Sequence, residues 1–347
     1  MNIDILATSI GVLTYFGIFG IMAISLNLEY GVAGVPNFGK ALFVSIGAYT
    51  GGVTYTRLLP VLSGNAYIDP CGIELGQALQ MRSEIMNTMP VVGFVNFFIT
   101  LVIASAIGGL VGYLISYATL RLKEEWFLAL VLLVGGEILR TTVRGYTPVI
   151  CGSSGVSAVA QPFSFIEDPQ VSSIVFMVMV LLFLLAAYIY AERLIHSPFG
   201  RLLKAIREND SVARSLGKDT ARIRAQVMAI GSAMAAIAGV LFAVNIGFVN
   251  SNDYVVVLTL DVWVMIVFGG MGNNRGALLG ALLITILDRA TAIIAVQLSM
   301  SDITLEFNYM RYILFGLILL FMLRFRPQGI LPERPGTTDA HDVLART

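Results

Sequence analysis

The sequence predicts an all-α, polytopic transmembrane helical bundle of about eight to ten spans, with one short amphipathic helix set in a loop. Three observations predict it. The chain is 57% hydrophobic and only 13% charged, against about 25% charged in soluble domains, and its mean hydropathy is +0.82. Apolar runs of membrane-crossing length recur along the whole chain. Lys and Arg sort to alternate connections between those runs.

A span needs roughly 20 mostly apolar residues, and nine stretches qualify or come close, at residues 5–26, 39–59, 91–120, 126–142, 171–191, 226–246, 255–268, 277–297 and 312–323. The fourth, seventh and ninth are short. The breaks between them hold Pro, Gly, Asn and charge, as connecting loops do. No Lys or Arg precedes Lys40, so the first run lacks the basic leader of a cleavable signal and reads as a permanent span. With the N-terminus outside, the inner segments are 29–40, 121–125, 192–224, 269–276 and 324–347, and these hold 16 of the 22 basic residues. Arg57, Arg82, Arg140, Arg144 and Arg311 fall on the outer side or at span edges, and Arg289 lies within a span. The positive-inside rule therefore favours N-out and C-in. Residues 1–331 form one transmembrane domain with a long cytoplasmic loop at 192–224. The end, 332–347, reads as a flexible tail.

Net charge is zero, which gives no electrostatic footprint for nucleic acid. Two cysteines and two histidines are too few for a metal centre. Cys71 and Cys151 fall in two outer loops, where a disulfide is permitted; a bridge and two unrelated thiols are both open. The glycines at 269, 270, 272 and 276 do not form a phosphate loop, because no G-x-x-x-x-G-K-[ST] occurs. The pairs Gly47/Gly51, Gly108/Gly112, Gly231/Ala235/Gly239 and Gly276/Gly280 have the spacing of close helix packing in lipid.

Residues 197–217 read SPFGRLLKAIRENDSVARSLG. Pro198 sets a turn, and apolar residues recur at Leu202, Leu203, Ile206, Val212, Ala213 and Leu216, which is helical spacing. Arg201, Lys204, Arg207 and Arg214 fill the other face, and Gly217 is placed as the residue ending the helix. A basic helix of this kind rests on anionic headgroups or docks in a groove of a cytoplasmic partner.

Four ionisable residues, Glu137, Asp261, Asp288 and Arg289, fall near span interiors, where such groups face a cavity or pair with one another. Two Gly/Asn-rich breaks, at 31–41 and 269–277, lead into apolar runs. Paired interruptions of this sort mark broken helices beside a substrate path, which would put Pro36, Asn37, Asn273 and Asn274 near a pore; ordinary cytoplasmic turns are the plainer reading. With Glu137 and Asp261 these are the candidate path residues. No catalytic constellation is found.

The 197–219 stretch resembles the cytoplasmic coupling loop of the permease subunits of branched-chain amino acid ABC transporters, with Glu208, Ala213 and Gly217 matching and Val212 in place of a common Ala. Four further stretches resemble that family in order along the chain. They are Gly31-Val-Ala-Gly34 through Gly47-Ala-Tyr-Thr50, Leu120-Arg-Leu-Lys123 with Phe127 and Glu137-Ile-Leu-Arg140, Gly269-Gly-Met-Gly272 with Gly276 and Gly280, and Arg326-Pro-Gln-Gly-Ile-Leu331. The set is more similar to the M-type permease than to its H-type partner. The resemblance implies a coupling helix contacting an ATPase through Phe199, Gly200, Ala205, Arg207, Glu208, Ala213, Arg214 and Gly217. It further implies a second permease subunit, two cytoplasmic ATPase subunits that carry ATP and Mg, an external substrate-binding protein, and a place in the plasma membrane among its lipids. This chain itself would hold no cofactor and catalyse no bond chemistry. The long outer loop at 60–90, Cys151-Gly-Ser-Ser-Gly155 and the acidic Asp261 depart from the family pattern, so permeases for urea and short amides stay open as alternatives. So does a secondary transporter, which would need intramembrane ion-coupling carboxylates.

Overall fold

A computed structural model describes residues 4–72, 74–120, 126–157, 159, 161–299 and 310–333. Among the described residues the architecture is helical apart from one two-residue antiparallel ribbon, Val156–Ser157 (β1) with Phe248–Val249 (β2), pairing Val156 with Val249. Among the described residues, seven helices are long and apolar enough to cross a membrane. The chain is thus a multi-pass membrane protein.

The first span is α1, Ile5–Leu26, which widens into a π turn over Asn27–Val32. Asp4 caps its start by accepting from the amides of Leu6 and Ala7. The second, α2, Lys40–Val53, runs on through a π turn, Thr54–Leu58, into the short α3, Leu59–Leu62. An outer helix α4, Leu75–Thr88, leads into α5, Pro90–Thr119, and then come α6, Trp126–Gly145, and the single turn α7, Thr147–Ile150. Then comes the long apolar α8, Pro169–His196. Between it and α11, Thr220–Ile246, lie two short helices, α9, Pro198–Glu208, and α10, Asp210–Ser215. The chain closes with α12, Val256–Gly269, α13, Asn274–Ser299, and α14, Met310–Phe325. The 332–347 tail falls outside the described residues from 334 onward.

The centre of the bundle is α11, which packs along α5 and α2. Lipid supplies no hydrophobic drive between helices, so small residues that let backbones approach decide the packing. Gly47 of α2 lies against the carbonyl of Ala236, and Gly239 of α11 against the carbonyl of Val44. Gly108 and Gly112 of α5 meet Ala236 and Ser232. Gly276 and Gly280 close the α12–α13 hairpin on Gly269 and Met265. A Cβ at Gly47 would overlap backbone, which cannot swing aside as a side chain can. Gly47→Leu is therefore expected to cost more than the about 1–3 kcal/mol of ordinary overpacking, read as a lower thermal midpoint of the detergent-solubilised protein. An unchanged midpoint would show that α2 and α11 do not pack this tightly.

Segments that the charge distribution assigned to one side share one end of the bundle. Residues 29–34, 192–224, 269–276 and 326–333 are joined there by hydrogen bonds and ion pairs. At the opposite end Arg57 donates to the carbonyl of Pro148 at 2.6 Å, Asn250 donates to Ser153, and Cys71 and Cys151 form a disulfide with Cα atoms 5.0 Å apart.

Two expectations need correction. Residues 197–217 do not form one helix. Asn209, extended at φ −155°, ends α9 and caps α10 by accepting from Val212 N at 3.1 Å, and this leaves Val212 and Leu216 exposed. Lys40 is not a loop cation facing the cytoplasm. Its side chain is fully buried against Glu29, so it adds nothing to the surface charge that orients a span.

Candidate functional site

The loop between α8 and α11 is built by its caps. Ser197 accepts from Gly200 N and Pro198 takes the first helical position, where its missing N–H costs nothing. Gly200 fits where any side chain would strike the carbonyls of Leu194 and Ile195. Leu203 and Ile206 are buried toward the bundle, and Phe199 packs on the core. At the far end Gly217 has φ +77° and donates to Arg214 O, while Lys218 donates to Ala213 O. That pair of bonds is a Schellman ending. Ala213 is buried, and Arg214 ties α10 to α11 through Thr220 at 3.0 Å and pairs with Asp210. Ala205, Glu208, Val212, Leu216 and Gly217 face away from the bundle.

Arg207 turns inward. It donates to the carbonyl of Gly31 in the π turn of α1 and pairs with Glu333 at 2.8 Å. Lys204 reaches the other oxygen of Glu333 at 2.7 Å. Glu333 is held in place by the segment before it, where Ile330 N and Leu331 N donate to the carbonyls of Phe268 and Gly269. Asn273 donates to the carbonyls of Leu331 and Pro332. One carboxylate therefore joins the α9 helix to the α12–α13 turn.

Deeper in, Asn27 donates to Asn274 at 2.9 Å and accepts from Gly272 N at 2.8 Å, and Asn274 donates to Glu192 at 2.9 Å. Above them the chain between α1 and α2 is irregular over residues 33–39. Asn37 there donates to Glu29 at 2.8 Å and accepts from Gly39 N, and its carbonyl accepts from Trp263 in the middle of α12. The amide of Ala41, opening α2, donates to Thr259. Non-helical backbone at this depth survives because protein groups satisfy it. Glu29 and Lys40 pair at 2.7 Å, both at 0% exposure, with the Glu29 carboxylate set against Gly231 of α11.

In the half of the bundle nearer the disulfide, Glu137 and Arg140 of α6 pair at 2.9 Å. The buried rings of Tyr49 and Tyr254 stand edge to face at 5.5 Å. A separate cavity of about 330 Å³ is lined by Asp253, Asp261, Asp288 and Arg289, with the Arg289 guanidinium 3.4 Å over the ring of Tyr15.

The candidate path residues thus fall in four places. Asn37 is buried at the break, with Pro36 half-buried beside it; Asn273 and Asn274 stitch the inner end; Asp261 lines the 330 Å³ cavity; and Glu137 sits on α6. Sequence reasoning missed Asn27, Glu29, Lys40, Glu192 and Glu333. The signal for one pair was present, since Glu29 and Lys40 are opposite charges flanking a Gly/Pro/Asn break.

The family model for the branched-chain amino acid transport system permease component matches residues 8–323. A probable branched-chain amino acid transport permease protein LivM of Methanocaldococcus jannaschii is 33% identical over 96% of this chain and 95% of its own. The Escherichia coli high-affinity branched-chain amino acid permease proteins LivM and LivH are each 26% identical, over 93% and 90% of this chain and 70% and 91% of theirs. No solved structure matches the chain. The chain belongs to the branched-chain amino acid transport permease family.

Proposed function

We propose that this chain is the M-type permease subunit of an ATP-driven importer for branched-chain or related aliphatic amino acids. Its α9–α10 pair would be the coupling element toward a separate cytoplasmic ATPase. The observation that carries this reading is the two-sided character of that pair. One side is lashed to the transmembrane core through Arg207, Lys204 and Glu333. The other offers Ala205, Glu208, Val212, Leu216 and Gly217 to the surroundings, with large apolar groups that no part of the described chain covers. A loop merely resting on headgroups would need no such lashing.

In this reading the end carrying α9 and α10 is cytoplasmic, and the end carrying the Cys71–Cys151 disulfide faces the oxidising side. That gives an N-terminus outside and a C-terminus inside. The complex would contain a second permease subunit, two ATPases that bind ATP and Mg, and an external binding protein. Nucleotide states of the ATPases that prefer different positions of α9 would shift the permease between inward-open and outward-open forms. Hydrolysis would occur on the ATPases, and this chain would move the solute.

The test is purification in a gentle detergent followed by ATPase and uptake assays. An ATPase is expected to co-purify with the unmodified chain. Gly217→Asp is expected to reduce its recovery or coupled uptake at least tenfold, because it places a charge on the exposed Schellman turn. A chain that purifies alone and transports without ATP would replace this reading with a secondary transporter. ATP-dependent uptake of urea in place of leucine would move the substrate class.

A further inference from the structure

The α6 helix turns Leu130, Val131, Val134 and Ile138 outward, like the apolar sides of α5 and α8, and adds a charged pair to that span. The exposed sides of α5 (Val95, Phe98, Val102, Ile107, Leu110, Leu114) and α8 (Val178, Leu182, Leu185, Ile189) are apolar, as lipid requires. On α6, Glu137 lies eight residues before the Gly145 end, about 12 Å at 1.5 Å per residue. Its side chain is 38% exposed and that of its partner Arg140 23%. Arg140 lies nearer the Gly145 end of α6, and a charged pair with one member inside a span faces water or protein, not hydrocarbon.

What lies around the pair is more specific. Tyr49 is 5% and Tyr254 2% exposed, and neither hydroxyl has a hydrogen-bond partner among the described residues. Buried hydroxyls are ordinarily partnered, so two together point to a polar visitor. Tyr49 lies within electrostatic reach of Arg140, Asp253 and Glu137, and Tyr254 and Glu137 line one small cavity together with Phe38 and Gly39 of the break before α2. Tyr49 also borders an open apolar groove of about 540 Å³, lined by Ile46 and Val53 of α2, Ile103 and the outward-facing Ile107 of α5, and Leu139 and Val143 of α6. A charged pair of both signs, two hydroxyls and an open aliphatic groove meet at one tyrosine.

We infer that this junction is a station on the transport path that reads an aliphatic α-amino acid, with Arg140 receiving the carboxylate, Glu137 the ammonium, Tyr49 and Tyr254 bonding the polar head, and the Leu139/Val143 groove taking the side chain. The inference rests on the importer reading above and assigns its substrate a place in this chain. The Glu137–Arg140 pair holds the two charges ready, so a zwitterion exchanges one ion pair for two without leaving either residue uncompensated. An amide or urea lacks the charges to do so. The apolar groove adds the preference for a branched side chain.

The test uses the complete complex with its binding protein in proteoliposomes, measuring labelled leucine and valine uptake beside ATP hydrolysis. Arg140→Gln and Tyr49→Phe are each expected to lower leucine uptake at least fivefold at saturating binding protein, with Arg140→Lys recovering part of the loss. Val143→Phe, which fills the groove and leaves the charges alone, is expected to lower leucine uptake several-fold more than valine uptake. If the unmodified complex carries leucine with ATP and these variants match it, the station is wrong and the importer reading stands. If the unmodified complex carries no amino acid with ATP, the importer reading itself fails. Variants that lose both solutes equally and are not rescued by Arg140→Lys would mark a structural pair and overturn the station.

Discussion

Replacing Glu29 with Gln is expected to destabilise this protein by about 3–5 kcal/mol, the usual cost of removing one partner of a buried ion pair. The substitution keeps the shape of the side chain and can still accept from Asn37. What it removes is the counter-charge of Lys40, whose ammonium lies 2.7 Å away at 0% exposure. Neighbouring polar groups do not replace that charge, since Asn37 and Thr259 are neutral and already engaged. Stabilities of folded domains are about 5–15 kcal/mol, so the loss should appear as poor recovery and a strongly lowered thermal midpoint in detergent. The double variant Glu29→Gln/Lys40→Met removes both charges and is expected to recover much of the loss, because burying a neutral pair incurs no ionic desolvation. A single variant as stable as the unmodified protein would mean that the pair does not hold α1 to α2, and the break at 33–39 would need another support.

The bundle itself was legible in the sequence because the apolar runs and the small-residue spacings are both local signals. Gly108/Gly112 and Gly231/Ala235/Gly239 announce packing faces before any partner is known, and the structure supplies the partners by setting α11 between α2 and α5. The grouping of segments by side was also legible, since 192–224, 269–276 and 326–333 do meet at one end. Lys40 shows the limit of that reasoning, because a count of basic residues cannot tell a surface cation from one buried beside a carboxylate. The split between α9 and α10 was hidden for a different reason. Asn209 is an ordinary residue within a helical period, and only its extended backbone and its bond to Val212 N reveal a cap. The Tyr49–Tyr254 contact joins residues about two hundred positions apart, a tertiary fact that no spacing encodes. Glu333 was assigned to a tail because it follows the last apolar run, whereas its anchoring comes from backbone bonds made by Ile330 and Leu331.

If the importer proposal holds, that anchoring makes Glu333 the residue whose change should separate ATP hydrolysis from transport most cleanly. Lys204 and Arg207 both stand on α9, one turn apart, and both spend their charge on its carboxylate. Arg207 also holds Gly31, so a displacement of α9 is passed at once to the π turn of α1 and to the α12–α13 turn. From there Asn27 and Asn274 lead to Glu192 of α8. Glu333→Lys would place three cations where one anion now joins two, and α9 would lose its grip on the core without losing the outward face that the importer proposal assigns to an ATPase. The expected result is an ATPase that still co-purifies and still hydrolyses ATP, with solute uptake reduced at least tenfold. Because the pairs are partly exposed, each is worth little as stability, so the folded fraction should change far less than for Glu29→Gln. The reciprocal variant Lys204→Glu/Glu333→Lys restores one opposite-charge contact and is expected to recover part of the uptake. Recovery of uptake with an unchanged thermal midpoint across the three proteins would identify the link as mechanical, whereas uptake that rises and falls with the midpoint would mark it as a support of the fold. Full uptake by Glu333→Lys would place the transmission elsewhere, in the apolar contacts of Phe199, Leu203 and Ile206 with the bundle.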